Sequence, residues 1–429
     1  MPAPELAATL DTLWRMEAPR LIARIARMTG DVAIAEELAQ DALVIALERW
    51  PRDGLPANPA AWLMSAAKNR AIDHLRQRAL HARKQVEYGV ELELHGADMH
   101  TDASDTADDA IGDDLLRLVF IACHPVLARE SRVALTLRLL GGLSTSEIAR
   151  AFLQPEATIA QRIVRAKRTL AERRVPFEVP GKAEWPERLD AVLEVVYLVF
   201  NEGYAASSGA DWLRPVLCDE ALRLGRVLAR LMPHSAAVHG LLALMELQAA
   251  RAPARTASDG TPVLLMEQDR TRWDRLQIMR GLQALVRAQQ LGGAQDAYVL
   301  QASIAACHAQ ARRASDTDWT RIASLYAQLH DVQPSPVIAL NHAVAVGKAH
   351  GAAAALPLVD ALGDASALRD YHLLAAVRGD LLEQLGRREE ARVAFEEAAA
   401  QAGSAVDQRL MRERAARCAG ALRNDTATR

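Results

Sequence analysis

The chain has 429 residues, of which 50% are hydrophobic, 24% are charged and 4% are aromatic. This composition excludes an intrinsically disordered protein, because disordered chains carry too little apolar surface to form a core. The length suggests about three domains of roughly 100–200 residues each. Ala and Leu dominate, and β-branched runs between turn signals are few, so the sequence predicts an all-α fold.

Cysteine usage and the lengths of the apolar runs indicate the compartment. The cysteines form no CxxC pair and no metal-ligand spacing, which favours a reducing environment. The N-terminus has no charged-then-apolar signal pattern, and the longest apolar runs are shorter than the roughly 20 residues that span a bilayer. We therefore expect a cytoplasmic protein without a membrane segment, a metal site or a cofactor.

The net charge of −3 conceals strongly segregated charges. Basic residues cluster at 68–84 and again at 162–174, whereas the ten acidic residues of 85–116 stand without any Lys or Arg. A chain of this kind is not an indiscriminately basic nucleic-acid binder. Its two basic blocks are instead candidates for local contacts with phosphate.

Residues 5–84 are predicted to form one compact helical domain. The segment 35–50 has helical periodicity, and the turn-rich sequence PRDGLPANP (51–59) ends it. Asn58 and Pro59 suit the N-cap and first position of the next helix. The core side of 35–50 is expected to consist of Leu38, Leu43, Ala46, Leu47 and Trp50.

The opposite side of segment 35–50 is acidic. It carries Glu37, Gln40 and Asp41 together with Val44. An acidic face with one apolar residue suits a partner surface, and a solvated helix face is the alternative reading.

The rest of the chain divides at changes in composition. Residues 85–112 lack periodicity and read as an acidic linker, and residues 113–175 read as a second helical domain that ends in a helix-turn-helix. A Pro- and Gly-rich cluster after residue 175 opens a long Ala- and Leu-rich extension. We expect this extension to contain a helical domain at 180–285 and tetratricopeptide-like repeats at 286–429. Segments 337–362 and 371–400 align on Gly351 and Gly386, an offset of 35 that is close to the 34-residue tetratricopeptide period.

The helix-turn-helix carries the clearest chemical pattern. Ser144 and Glu147 form a capping box, and Pro155 suits the first position of the second helix. On that helix Ile159, Ile163, Ala166 and Leu170 form a core stripe. The outer face collects amide and guanidinium donors of the kind that bind bases and phosphates in a major groove: Thr158, Gln161, Arg162, Arg165 and Arg168. The alternative is a solvated basic face.

The first basic block invites a similar interpretation. A loop with Arg52 and Asn58 precedes Trp62 and the basic helix, and together they offer stacking and phosphate contacts for a separated strand. The helical spacing of Trp62 nevertheless favours a core position over a stacking role.

The order and spacing of these pieces resemble extracytoplasmic-function (ECF) sigma factors over residues 14–175. The region that binds core polymerase in that family is similar to GDVAIAEELAQDALVIALERWP in this chain. The region that recognises the −10 element is similar to NPAAWLMSAAKNRAIDHLRQR. The region that recognises the −35 element is similar to LSTSEIARAFLQPEATIAQRIVRAKRTL. The extension, with NEGYAASSG (201–209) and LMEQDRTRW (265–273), resembles the sigma-factor group that ends in a tetratricopeptide-like domain.

This resemblance implies a role for each candidate residue and implies that none is catalytic. Core RNA polymerase would contact Glu37, Gln40, Asp41 and Val44. The −10 element of promoter DNA would contact Arg52, Asn58, Lys68, Asn69, Arg70, Asp73, His74 and Arg76. The −35 element would contact Thr158, Gln161, Arg162, Arg165 and Arg168. The extension would bind a regulatory protein or a ligand, since helical repeats present concave surfaces.

Two other classes of function are compatible with parts of the sequence. A helix-turn-helix repressor or activator would use only residues 143–170, with the extension as a ligand- or protein-sensing domain. A scaffold or an enzyme would be built on the extension, although the sequence contains no nucleophile–base, metal or phosphate-loop motif. In the extension, Asn201, Glu202, Tyr204, Gln268, Asp269, Arg270 and Trp273 would either line a ligand cleft or make capping and interhelix hydrogen bonds.

Overall fold

The computed structural model describes residues 3–87, 107–152, 154–181, 183–204, 215–257, 263–363, 365, 368–369, 371–402 and 405–427. Within these ranges it contains eighteen α-helices, four short 3-10 helices and no β-strand, which confirms the all-α prediction. The chain divides into two compact units, Met1–Pro233 and His234–Arg429. The predicted linker, residues 85–112, lies mostly outside the described residues. The predicted domain bounds remain predictions.

The first unit contains nine α-helices in the described part of the chain. They are α1 (Ala3–Thr29), α2 (Val32–Asp53), α3 (Pro59–Glu87), α4 (Ala107–Ala122), α5 (Arg129–Leu139), α6 (Thr145–Phe152), α7 (Glu156–Glu172), α8 (Trp185–Tyr204) and α9 (Pro215–Leu231).

Local signals explain where α2 begins and ends. Asp31 is its N-cap, and the Oδ1 atom accepts hydrogen bonds from the N–H groups of Ala33 at 2.7 Å and Ile34 at 3.2 Å. The helix ends at Gly54, whose φ of 83° favours glycine and whose N–H donates to Trp50 O at 3.0 Å. The turn expected at 51–59 is therefore shorter than predicted, because α2 continues through residues 51–53.

Helices α8 and α9 pack on α4 and α5 and so belong to the first unit. The ring of Trp185 on α8 lies 5.1 Å from the buried ring of Phe120 on α4. Arg188 Nη2 donates to Phe120 O at 3.1 Å, and Arg223 on α9 donates to Leu140 O. The beginning of the extension thus helps to form the core that carries the helix-turn-helix.

The second unit contains the remaining nine α-helices of the described residues. They are α10 (Ala236–Ala249), α11 (Arg275–Gln290), α12 (Ala297–Gln310), α13 (Trp319–Val332), α14 (Pro336–His350), α15 (Ala352–Asp360), α16 (His372–Gln384), α17 (Arg388–Gln401) and α18 (Ala405–Ala427).

The two aligned segments of the extension form helix pairs. Gly351, with φ of 89°, separates α14 from α15, and Gly386, with φ of 74°, lies between α16 and α17. Both positions lie in the left-handed region that favours glycine. The ring of Phe395 on α17 is fully buried against α16, where Gly379 has no Cβ atom and lets the two helices approach closely.

Candidate promoter and polymerase interface

The helix-turn-helix consists of α6 and α7 and is capped as the sequence predicts. Glu147 N–H donates to Ser144 Oγ at 3.2 Å, and Ser144 N–H donates to Glu147 Oε2 at 2.8 Å. This reciprocal pair is a capping box, and it satisfies two N–H groups at the start of α6. Pro155 lies at the N-cap of α7 and the helix begins at Glu156, one residue later than predicted.

The two faces of α7 differ in burial as predicted. Ile159, Ile163, Ala166 and Leu170 are buried, which confirms the core stripe. On the outer face Gln161, Arg165 and Arg168 are exposed, whereas Thr158 and Arg162 are half-buried. Several hydrogen-bond donors of one helix are therefore presented to solvent while its apolar side holds it on the fold.

Two arginine side chains on the outer face of α7 have neighbours that reduce their accessibility to DNA. Arg168 Nε donates to Glu172 Oε1 at 2.6 Å, and this hydrogen bond raises the pKa of the guanidinium. Arg162 lines a groove together with Phe152 of α6 and with Leu198 and Glu202 of α8. Gln161 and Arg165 are thus the more accessible members of the predicted DNA-binding face.

The basic helix α3 begins at an exposed N-cap. Asn58 Oδ1 accepts a hydrogen bond from Ala61 N–H at 3.0 Å, as the predicted Asn–Pro pair requires. The ring of Trp62 is half-buried and meets the buried ring of Trp50 edge-on at 5.4 Å, so Trp62 packs against the core of the first unit.

The polar candidates of α3, of its preceding loop and of the last turn of α2, where Arg52 lies and not in the loop as predicted, are at the surface. Asp73 pairs with Arg76 at 3.7 Å and Arg70 with Asp41 of α2 at 3.9 Å. The exposed members of the set are Arg52, Asn58, Asn69, Arg70, Asp73 and Arg76, and the half-buried members are Lys68 and His74.

The acidic side of α2 is accessible. Glu37 is exposed, Gln40 and Asp41 are half-buried, and Val44 is 51% exposed. On the other side Leu38, Ala46 and Trp50 are buried and Leu43 is half-buried, whereas Leu47 is 46% exposed. The assignment of Leu47 to the core was wrong. Helical periodicity fixes only the angle of a side chain about the axis, and the width of the buried stripe depends on which neighbours pack there.

Two family matches cover these elements. The Sigma-70 region 2 family matches residues 13–80, and the Sigma-70, region 4 family matches residues 117–170. The ECF RNA polymerase sigma factor SigK of Mycobacterium ulcerans (strain Agy99) is 30% identical over 155 residues, which cover 35% of this chain and 78% of SigK. The chain belongs to the ECF sigma factor family. As an RNA polymerase sigma factor it acts in transcription initiation, and sigma factors are initiation factors rather than enzymes.

Further comparisons extend the similarity along the chain. SigK of Mycobacterium tuberculosis (strain ATCC 25177 / H37Ra) is 28% identical over 186 residues, which cover 39% of this chain and 94% of SigK. An uncharacterized protein of Rhizobium meliloti (strain 1021) is 43% identical over 395 residues, which cover 92% of each chain. Residues 188–289 match a family of unknown function, DUF6596. The similarity to the Rhizobium protein therefore includes the extension.

The sequence analysis missed two buried carboxylates of the sigma factor. Glu36 is 3% exposed and Asp114 is 1% exposed, and both form ion pairs with distant residues. Glu36 lies between the buried residues Ala35 and Leu38 on α2. A charged residue on the buried face of a helix requires a partner. The position of Glu36 in the sequence could therefore have predicted an ion pair with a distant residue.

In the extension of the sigma factor, hydrogen bonds to backbone carbonyls explain why the side chain of Arg270 is buried. The side chain is 6% exposed, and Nη1 donates to His308 O at 2.6 Å and Ala311 O at 2.8 Å, which are carbonyls at the end of α12. Its guanidinium lies 4.8 Å from the centre of the Trp273 ring. Arg270 thus caps the C-terminus of α12. Of the two alternatives given for this residue, a ligand cleft or capping hydrogen bonds, the structure has the second.

Two negative findings apply to the described residues of the sigma factor. No group of three or more His, Cys, Asp or Glu side chains is arranged to hold a metal ion. None of the described helices combines the length and apolarity needed to cross a bilayer.

Proposed function

We propose that this sigma factor reads the −35 element of its promoter through the outer face of α7. The observation that carries the proposal is that Gln161 and Arg165 are exposed on a helix whose opposite face is buried in a capped helix-turn-helix. Gln forms paired hydrogen bonds with adenine and Arg forms them with guanine in the major groove. Thr158, Arg162 and Arg168 supply the flanking contacts to bases and phosphates.

The −10 element is assigned to the last turn of α2, to the loop before α3 and to α3 itself. Arg52 is exposed in the last turn of α2, Asn58 is exposed in the loop, and Arg70 and Arg76 of α3 are exposed as well. Phosphate contacts from such a helix position a strand, whereas capture of an unstacked base offsets the cost of opening the duplex. Asp73 orients Arg76 through their ion pair. The residues proposed here are Arg52, Asn58, Lys68, Asn69, Arg70, Asp73, His74 and Arg76.

Core RNA polymerase is assigned to the acidic side of α2. Glu37 and Val44 are exposed there, and Gln40 and Asp41 flank them. Exposed acidic residues around one apolar residue suit a basic partner surface with a small apolar centre. We further propose that the protein is cytoplasmic and that its extension binds a regulatory protein or a ligand.

The −35 proposal is tested by transcription in vitro with core RNA polymerase on DNA upstream of the sigma factor's own gene. Arg165→Ala is expected to lower promoter-specific transcripts at least about fivefold, because one bidentate base contact is worth about 1–3 kcal/mol. Arg165→Lys keeps the charge but not the fork geometry, so it should recover less than half of the loss. Arg280→Ala, at an exposed arginine of α11, is the charge-matched control and should transcribe like the parent.

A base-reading role also predicts a promoter-dependent result. If Arg165 contacts one base pair, Arg165→Ala and substitution of that base pair together should reduce transcription no further than either change alone. Independent effects at every −35 position would contradict base reading by Arg165. Transcription by Arg165→Ala at the level of Arg280→Ala would contradict the assignment of this face.

The helix-turn-helix regulator remains the alternative from another class, and no observation favours it. A repressor that uses residues 143–170 alone gives no reason for the match of residues 13–80 to Sigma-70 region 2.

A further inference from the structure

A cavity at the C-terminal end of α7 is lined by cations. Its volume is about 380 Å³, which lies within the range of roughly 300–1,000 Å³ that is typical of small-molecule sites. Arg78 of α3, Lys167 of α7 and Arg174, which follows α7, line the cavity. Asp31 is the only acid among its described lining residues. The three cations belong to the two basic blocks of the sequence but to none of the proposed promoter-binding sets, so the proposed function leaves them without a role.

The positive charges of this cavity are not balanced within the described residues. Asp31 is engaged as the N-cap of α2, and Lys167 forms an ion pair with Glu36. Arg78 and Arg174 are exposed, and neither side chain has a hydrogen bond or an ion pair with another residue that the structure describes. A concave surface lined mainly by one sign of charge concentrates ions of the opposite sign. The cavity therefore favours an anion.

The backbone at Arg174 adopts a conformation that favours glycine. Val175 N–H donates to Leu170 O and Arg174 N–H donates to Ala171 O, both at 3.0 Å. These two hydrogen bonds form a Schellman motif, in which the residue at the position of Arg174 is left-handed and is usually glycine. Arg174 has a φ of 49°, and it is the one residue other than glycine with a positive φ in the described part of the chain. Glycine would end α7 with less strain, so the helix cap does not explain why an arginine is present.

The helix dipole does not explain Arg174 either. A cation in the last turn of a helix interacts favourably with the partial negative charge of that end. Arg173 already supplies such a cation, with an ordinary φ of −80°, and it does not line the cavity. A strained residue that faces a cavity indicates a contact with a ligand, because strained positions cluster at ligand sites.

The remaining wall of the cavity is apolar. Ile121 and Leu170 are buried there, and Phe177 is half-buried. Guanidinium groups bind phosphate through paired, charge-assisted hydrogen bonds, and aromatic rings stack on nucleobases. The cavity thus offers cations for phosphate groups and an apolar wall for an organic group. Its volume suits a molecule of about the size of a nucleotide but not a DNA duplex.

We propose that this cavity binds a small molecule with two or more phosphate groups, of the class of nucleoside di- and triphosphates. The phosphates contact Arg78 and Arg174, with Lys167 beside them, and the base packs against Phe177. The inference goes beyond the proposed promoter contacts and does not depend on them, because none of these residues belongs to the promoter-binding sets.

Titration calorimetry of the full-length protein with ATP tests the site. We expect one ATP to bind per chain. Arg174→Gly should weaken this binding at least about tenfold, because it removes charge-assisted hydrogen bonds to phosphate. The same variant should melt at or above the Tm of the parent, because glycine adopts a φ of 49° without strain. Loss of ATP binding would then be separated from loss of the fold.

Arg173→Ala is the matched control. It removes an exposed arginine that is adjacent in the chain but lies outside the cavity, so it should bind ATP like the parent. Equal weakening by Arg173→Ala and Arg174→Gly would reduce the effect to general attraction of polyanions and overturn the site. Failure of the parent to bind ATP or inorganic triphosphate would also overturn it, as would an Arg174→Gly protein that melts below the parent.

Inorganic triphosphate distinguishes the two sources of the phosphate chemistry. If a nucleotide is the ligand, ATP should bind at least about fivefold more tightly than triphosphate, because the base stacks on an aromatic ring. Phe177→Leu should remove this difference and leave triphosphate binding unchanged. Equal affinities of the parent for ATP and triphosphate would overturn the role of Phe177 and identify inorganic polyphosphate as the ligand of the cations.

Discussion

Truncation after residue 178 is expected to destabilise the DNA-binding part of this sigma factor, whereas truncation after residue 233 is not. The shorter protein lacks α8 and α9, which pack on α4 and α5 within the first compact unit. The longer one ends at the boundary between the two units. The two truncations therefore differ in whether region 4 keeps the helices that cover its core.

The size of the effect follows from the contacts that are lost. The aromatic pair of Trp185 and Phe120 contributes about 0.5–1.5 kcal/mol. The hydrogen bond from the charged Arg188 to Phe120 O contributes about 1.5–3 kcal/mol. The surface pairs of Glu194 with Arg129 and Arg132 add about 0–1 kcal/mol. Together the loss is about 2–5.5 kcal/mol, which corresponds to a fall in Tm of roughly 4–22 °C for a protein of this size.

Thermal unfolding followed by circular dichroism at 222 nm measures this difference. The 1–233 protein should melt cooperatively, and the 1–178 protein should melt at least about 4 °C lower (about 2 °C per kcal/mol for this size). The double variant Trp185→Ala/Arg188→Ala in 1–233 removes the two main contacts without shortening the chain, so it should reproduce most of the fall. Equal Tm values for the two truncations, within about 2 °C (less than 1 kcal/mol at this size), would refute the argument that α8 and α9 stabilise region 4.

Two further predictions concern the second unit. Gly379→Ala would place a Cβ atom 2.7 Å from Phe395 Cε1, so it should destabilise the unit by about 1–3 kcal/mol in urea unfolding. Val393→Ala, at a position of α17 that is 51% exposed, is the control, and equal stability of the two variants would contradict close packing of α16 on α17. Burial, helped by the cations Arg251 and Arg270, lowers the pKa of His308 from 6.5 to about 4. Its contribution to stability is therefore present above pH 6.5 and is lost as the pH falls toward 4, by up to about 3 kcal/mol. His308→Gln should reduce this acid sensitivity in urea unfolding at pH 7 and pH 4.5, and an unchanged difference between the two pH values would count against it.

The sequence by itself determined the features that depend on neighbouring residues. Helical periodicity, the Ser144–Glu147 capping box and the glycines at 351 and 386 each act within a few residues, because helix hydrogen bonds and caps are local. The spacing of Ile159, Ile163, Ala166 and Leu170 predicted the buried face of α7 for the same reason. The order of the motifs was sufficient to predict the family, which the matches over 13–80 and 117–170 confirm.

The tertiary structure decided which helix faces meet. Glu36 and Lys167 lie on helices that are far apart in the sequence, and Asp114 pairs with Arg24 and Arg27 at separations of 90 and 87 residues. The assignment of α8 and α9 to the first unit likewise depends on long-range packing. No local pattern encodes such pairs, since a charged residue on a helix is compatible with solvent or with a partner until the neighbouring elements are placed. The exposure of Leu47 has the same cause, because burial is a property of the assembled helices.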